Sequence, residues 1–300
     1  MASLQNSVFN FIVKNVVAPQ LTVTSPLDRQ RVLFNWFSKI CILPFQTKSR
    51  GVLIGHIPAT WISVGEFFKH QTILYLHGGA FTMGSSHTHL AATAYLSKYS
   101  ATHVLSVDYR LAPEYPYPAA LADAKRAYKW LLENQFPPEN IVIAGDSAGG
   151  GLVIATLLAL RDSGLPLPAG AVCLSPWADL ACMGETFSTK MKEDPLLTSE
   201  WLHWMAKHYA GSHDLKTPMI SPVYGDLYGL PPLFIQVGSK EILLSDAYRL
   251  VENANKSGTA ARLTVLNSVC HSWSLCGGVI PEAKQAFQEA GLFIRGILGR

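Results

Sequence analysis

Charge is scarce in this 300-residue chain, where Asp, Glu, Lys and Arg together make up 15% of the residues. No block of Lys or Arg stands out among the 24 bases, and they exceed the acids by only three. A nucleic acid or an anionic membrane is therefore not suggested as a partner, since either calls for a concentrated basic face. Cysteine is sparse too: Cys41, Cys173, Cys182, Cys270 and Cys276 are odd in number and never spaced C-x-x-C. That argues against a disulfide scaffold or a zinc site and fits a reducing cytosol. Neither a G-x-G-x-x-G nor a Walker pattern occurs, so nucleotide chemistry has no support. The first twenty residues hold one base, Lys14, and only the short apolar run Phe11-Ile12-Val13, too little for a secretory signal. Residues 141–160 carry a single charge, Asp146, over a length that could span a bilayer. Gly145, Gly149, Gly150 and Gly151 break that run into a buried strand, a turn and a buried helix, so stable membrane insertion is not expected.

What the chain does have is apolar bulk. Its 49% hydrophobic share and its length suit one large domain with an appendage better than two domains. From about residue 71, short apolar runs alternate with longer helical ones, the pattern of a mostly parallel sheet covered by helices. Expected strands are 72–76, 103–107, 141–144, 171–174, 233–237 and 262–266, with antiparallel strands added within 51–63 at the sheet's first edge. Expected helices are 89–99, 119–134, 148–161, 245–257 and 282–297. Residues 1–45 and 180–225 fall outside this rhythm and are expected to cap one end of the sheet, leaving 46–300 as the catalytic domain. Val8, Phe11, Ile12 and Val16 recur at helical spacing, which predicts an amphipathic helix laid on the body of the protein. Ligands of open α/β sheets bind at the carboxyl ends of the strands, where such a cap would shape a pocket.

Two glycine motifs carry chemistry. Gly145-Asp146-Ser147-Ala148-Gly149 directly follows a predicted strand and opens a predicted helix. A serine pressed between glycines at that turn has its hydroxyl lifted above the sheet, with the next backbone N–H at the helix N-terminus. The plain alternative is an N-cap serine on a glycine turn. His77-Gly78-Gly79-Ala80-Phe81 follows the strand 72–76. The N–H groups of Gly78 and Gly79, with that of Ala148, are the expected oxyanion hole. His77 itself reads as a loop-fixing hydrogen bonder. Trp201, Trp204 and Met205 lie at i, i+3 and i+4, a stripe that suits either an acyl-pocket wall or core packing, and Met83 joins them as a pocket candidate. His87 and His89 lack a third ligand, so no metal site is expected. A thiol mechanism at Cys270 is disfavoured, because adjacent residues rarely aim their side chains at each other.

These motifs, together with Tyr109-Arg110-Leu111-Ala112-Pro113-Glu114 and Ser175-Pro176-Trp177, resemble the hormone-sensitive-lipase-like (family IV) carboxylesterases of the α/β-hydrolase superfamily. The match runs over about residues 45–300 in one order and spacing. It implies an α/β-hydrolase fold with a helical cap, no cofactor, and a small-molecule ester as substrate. The loop usually reads His-Gly-Gly-Gly in that family, whereas Ala80 stands at the third glycine here; a positive φ at Ala80 would cost about 1 kcal/mol. A serine nucleophile needs a base, and the base needs an orienting acid. In the α/β-hydrolase order the acid comes next and the histidine last, and His271 is the only histidine after His213. For the acid, the segment 239–247 aligned without gaps puts Glu241 in the family's position, with Asp246 as the fallback.

The resemblance thus implies a serine esterase using Ser147, Glu241 and His271, and the Trp201, Trp204 and Met205 stripe, read as the wall of a finite acyl pocket, predicts short-to-medium acyl esters as its substrates. A lactonase or amidase with the same machinery is an alternative. So is a non-catalytic receptor of the kind found among plant gibberellin receptors, which have lost the histidine retained here as His271. Similar enzymes often pair through the last strand and helix, which leaves a homodimer open.

Overall fold

The computed structural model describes residues 2–39 and 41–300. Eight strands form one sheet: β1 (Thr47–Ile54), β2 (Ile57–Val64), β3 (Thr72–Leu76), β4 (His103–Val107), β5 (Ile141–Asp146), β6 (Gly170–Leu174), β7 (Leu233–Gly238) and β8 (Ala261–Leu266). Their spatial order is β1-β2-β4-β3-β5-β6-β7-β8. β1 and β2 form an antiparallel hairpin that joins β4 antiparallel, and every other pairing is parallel. Strands β3, β5, β6 and β7 are buried at every position. Helices cover both faces of a parallel sheet, which is why these strands read as continuous apolar runs without alternation.

Nine helices accompany the sheet among the described residues: α1 (Leu4–Ile12), α2 (Leu27–Ser38), α3 (Leu90–Ser100), α4 (Ala119–Glu133), α5 (Ala148–Asp162), the single turn α6 (Thr186–Thr189), α7 (Ser199–Ala210), α8 (Leu244–Lys256) and α9 (Pro281–Ile297). The chain leaves β3 through α3 toward β4, then reverses through α4 past β3 to β5. Right-handed crossovers in opposite directions put α3 on one face of the sheet and α4 and α5 on the other. Predicted element ends in this core agree with the observed ones to within two residues, apart from the first hairpin, which runs longer. Among the described residues, no helix is long and apolar enough to cross a membrane.

The N-terminal segment departs from expectation. Val8, Phe11, Ile12 and Val16 do not lie on the body of the protein; all four are exposed. The inward positions are Phe9 and Val13, both buried. Helix α1 passes without a break into a wider π-type turn, Val13–Val17, so Phe9, Val13 and Val17 follow one line at i, i+4 and i+8. The segment is pinned by polar contacts at its ends. Ser3 donates to Glu282 from its backbone N–H (2.6 Å) and its hydroxyl (2.8 Å). The Asn6 amide donates to Ser268 O. Those anchors decide which apolar stripe turns inward.

Helices α3 and α9 meet closely because Gly291 has no side chain: a Cβ there would lie 2.5 Å from Tyr99 O. Gly296, on the same helix, has open space around it. Gly291→Ala should therefore destabilise the protein by about 1–3 kcal/mol through overpacking. Gly296→Ala should stabilise it by about 0.5–1 kcal/mol through helix propensity. Urea midpoints of the two variants check both signs.

Candidate active site

Strand β5 delivers the turn that sets the site. After Asp146 the chain reverses sharply at Ser147, with φ 54° and ψ −124°, before α5 begins at Ala148. A residue with a side chain holds such a φ only where its surroundings enforce it. Here Ser147 N–H donates to Leu174 O at 2.8 Å, and Ser147 O accepts from Trp177 N–H at 2.9 Å. The flanking glycines let backbones close in: a Cβ on Gly145 would lie 2.5 Å from Leu76 O, and one on Gly149 2.5 Å from His77 O.

Two loops at the same end of the sheet bring the partners. His271 follows β8, and its Nε2 lies 2.9 Å from Ser147 Oγ. Glu241 follows β7, fully buried, with Oε2 2.8 Å from His271 Nδ1. The other oxygen, Glu241 Oε1, accepts from Ser175 Oγ at 2.6 Å and from Gly238 N–H at 2.5 Å. Ser175 accepts in turn from the Trp273 indole at 2.9 Å. Burial opposes a charge on His271, but the hydrogen bond and charge of Glu241, aided by Asp194 and Asp146, outweigh it and raise its pKa above the ordinary value. Asp246 stands elsewhere: its carboxylate accepts the Ala178 and Asp179 N–H groups, both at 2.9 Å. It fixes the chain after Ser175-Pro176-Trp177 and has no hydrogen bond to the imidazole.

The expected oxyanion donors need one correction. Gly78 N–H is already spent, donating to Asp146 Oδ1 at 3.0 Å. Gly78 is a glycine because a Cβ there would lie 2.5 Å from Asp146 Oδ2. Gly79 and Ala80 line the cleft with Ser147, and Gly78 does not. The N–H groups of Gly79, Ala80 and Ala148 have no acceptor among the described residues. Of this loop, Gly79 and Ala80, and not Gly78, thus combine an unengaged N–H with a place beside Ser147.

Asp146 was legible only as a lone charge in an apolar stretch, and its role needs the fold. Its carboxylate takes hydrogen bonds from Gly78 N–H and the Tyr75 hydroxyl (2.7 Å), with His89 Nε2 at 3.3 Å. Burial would raise its pKa, but His89 and the Tyr75 hydroxyl outweigh that and hold it below the usual value. His77 stacks on Tyr109 with ring centres 4.2 Å apart, and burial pushes its pKa down to about 3. Its Nδ1 lies 2.8 Å from Gly78 O, the kind of loop-fixing hydrogen bond expected of it. Asp194, which sequence reasoning missed, accepts the N–H groups of Leu196, Leu197 and Ile242, joining a wall of the cleft to the residue after Glu241. Burial lifts its pKa to about 6. The Cys270 thiol donates to His271 O, and burial, then the charges of Asp194 and Glu241, push its pKa far up.

Above Ser147 the cleft is apolar. Phe9, Val13, Val17 and Leu21 wall it from the first helix and the turns after it, and Leu33, Phe34 and Phe37 from α2. Met83, Trp177, Leu196, Leu197, Trp201, Leu202 and Leu275 complete it. Of the four expected pocket residues, Met83 and Trp201 line this space and Trp204 and Met205 do not. Trp204 packs edge-on against His208, and Met205 is fully buried with its sulfur accepting from the Thr82 hydroxyl. The helix presents Trp201 and Leu202 because the Trp201 indole is tied to buried Gln30 of α2 at 2.8 Å. Arg31 of the same helix donates to Thr82 O and Ala112 O and forms a two-pronged pair with Glu114. Helix α2 thereby holds the glycine loop.

Ala80 adopts φ 52°, so the cost foreseen for alanine at this place is real. Ala80→Gly should raise the unfolding free energy by about 1 kcal/mol, read from denaturant midpoints. A fall in stability would mean that packing of the Ala80 methyl outweighs the backbone strain.

Comparison with known proteins agrees with this geometry. A family model described as the alpha/beta hydrolase fold matches residues 73–275. An acetyl-hydrolase of Streptomyces hygroscopicus is 44% identical over 248 residues, covering 83% of each chain. The crystal structure of an esterase from the bacterial hormone-sensitive lipase family superposes with a TM-score of 0.95 at 38% identity, over 100% of both chains. EstE5, in a crystal soaked with p-nitrophenyl butyrate, superposes with a TM-score of 0.94 at 37% identity, also over 100% of both. With an eight-stranded hydrolase sheet, a strained serine turn and these relatives, the chain belongs to the α/β-hydrolase family and, within it, to the hormone-sensitive-lipase-like carboxylic ester hydrolases.

Proposed function

We propose that this esterase hydrolyses short-to-medium acyl esters with Ser147 as nucleophile, His271 as base and Glu241 as the orienting acid. The observation that supports this most is the unbroken relay at the floor of the apolar cleft: Ser147 Oγ to His271 Nε2 at 2.9 Å, and His271 Nδ1 to Glu241 Oε2 at 2.8 Å. Glu241 keeps the proton of the neutral ring on Nδ1, so Nε2 is free to accept from Ser147. As the hydroxyl attacks the ester carbonyl, its proton passes to Nε2 and negative charge gathers on the carbonyl oxygen. The N–H groups of Gly79, Ala80 and Ala148 would receive that charge; one such donor is typically worth about 3–4 kcal/mol in the transition state. The imidazolium then protonates the leaving alkoxide, and a water deprotonated by the same ring releases the acid. In this reading residues 1–45 and 180–225 act together as the cap that walls the acyl site.

Ser147→Ala should fold normally yet lose ester hydrolysis and covalent labelling by fluorophosphonates; retained labelling would overturn the nucleophile. Because an imidazolium cannot accept a proton, kcat/KM should fall as pH drops through the His271 pKa, with a midpoint above the ordinary 6.5. Glu241→Gln removes the main group that raises that pKa and leaves burial, which lowers it, opposed only by Asp194 and Asp146. The acidic midpoint should therefore move down while kcat drops by roughly four orders of magnitude. Asp246→Asn should leave the midpoint in place.

Acyl length is set by the cleft walls. Each methylene that fits gains about 0.8 kcal/mol, so kcat/KM should climb along an ester series to an optimum at roughly four to eight carbons and then fall. The butyrate ester named for EstE5 lies within that range. Leu202→Ala should move the optimum to longer chains, whereas Trp204→Ala, away from the cleft, should not. Highest activity on long-chain emulsions would overturn the finite pocket.

A further inference from the structure

The outer surface of the N-terminal segment is built unlike that of an ordinary surface helix. Leu4, Val8, Phe11, Ile12 and Val16 form one exposed line along α1 and the turn that continues it, with Leu4 78% and Phe11 68% accessible. On α2, Val32 and Trp36 are exposed as well, 67% and 59% accessible. The opposite side of the same elements, through Phe9, Val13 and Phe34, walls the catalytic cleft. A helix in water normally turns a polar face outward, and one that is apolar on both sides has a second apolar contact to make.

Charge says what that contact is. Lys14, Arg29, Arg31 and Lys39 face a single acid, Asp28, within residues 1–45, while the remaining 255 residues carry twenty bases and twenty acids. The whole net charge of +3 thus sits on the segment with the exposed apolar line. Arg31 is engaged with Glu114, but Lys14, Arg29 and Lys39 are exposed and none of them pairs with a carboxylate among the described residues. A second copy docked face to face would set like charges against each other. An anionic lipid surface satisfies both features at once, taking apolar side chains below its headgroups and attracting bases beside them. No basic block was visible in the sequence because these residues are spread over 26 positions of the chain, on or next to the same helical elements that carry the exposed apolar side chains.

We propose that the outer face of residues 4–39 is a peripheral docking surface for an anionic lipid bilayer. The placement also serves the catalytic cleft. Phe9 and Phe37 line both that cleft and a shallow apolar groove that opens outward between α1 and α2 beside Leu4, Val8 and Ile12. An apolar ester dissolved in the surface would meet the enzyme at its acyl wall.

The test is flotation of the full-length protein with vesicles of phosphatidylcholine alone and of phosphatidylcholine containing about a third phosphatidylglycerol. Binding to the anionic vesicles should be at least about tenfold stronger and should weaken in high salt. Phe11→Asp should abolish it, and Lys14→Glu with Lys39→Glu should remove the preference for anionic lipid. Both variants alter exposed residues and should keep the circular dichroism and the activity on a water-soluble short ester. Equal binding to both vesicle types, no binding to either, or binding untouched by Phe11→Asp would overturn the proposal. So would a dimer in sedimentation velocity that Phe11→Asp dissociates, which assigns the face to a second copy. Binding is read without substrate, so failure here is distinguishable from failure of the catalytic reading.

Discussion

The turn at Ser147 constrains everything around it, because its backbone is held in a conformation that an isolated chain avoids. What holds it is the close approach of three segments: β5 ending in Gly145 and Asp146, the start of α5 at Ala148 and Gly149, and the end of β3 at Leu76 and His77. Each contact is backbone against backbone, so the glycines are required by space and not by composition. With Ser147 hydrogen-bonded on both sides to the chain at Leu174 and Trp177, its hydroxyl has little freedom left. This is where the fold invests its strain.

Asp146 extends that constraint to the neighbouring loop. A buried carboxylate without partners would be expensive. Here Gly78 N–H and the Tyr75 hydroxyl satisfy it, and His89 lies alongside. The same bonds lock the strand end to the glycine loop, leaving Gly79 and Ala80 as the residues whose N–H groups face the cleft. A similar economy governs the acid. Glu241 reaches the imidazole with one oxygen while Ser175 and Gly238 hold the other, so the longer glutamate side chain is as restrained as a shorter acid would be.

Over this floor the N-terminal helices serve two surfaces. Their inner side lines the apolar cleft above Ser147 and, through Gln30 and Arg31, positions α7 and the glycine loop. Their outer side carries the exposed apolar line and the net charge. One thin layer of structure thus presents two different surfaces, and a substitution on one side can leave the other unchanged.

How much of this was legible before folding differs between core and cap. Alternating apolar runs placed the six parallel-sheet strands to within two residues; the strands buried on both faces, β3, β5, β6 and β7, leave the plainest local signature. The Gly145–Gly149 pattern and His271 could be picked out for a related reason: a strained turn needs small residues at fixed spacing, and a single histidine follows His213. Local pattern could not say which N–H groups remain free in the glycine loop, since Gly78 is taken by a carboxylate 68 positions away. Nor could it decide between Trp201 and Trp204, or which stripe of α1 turns inward. Helical spacing marks a face as apolar without saying what it meets. Those choices belong to tertiary structure, where Glu282, Ser268 and Gln30 fix the rotation of each helix by hydrogen bonds across long stretches of chain.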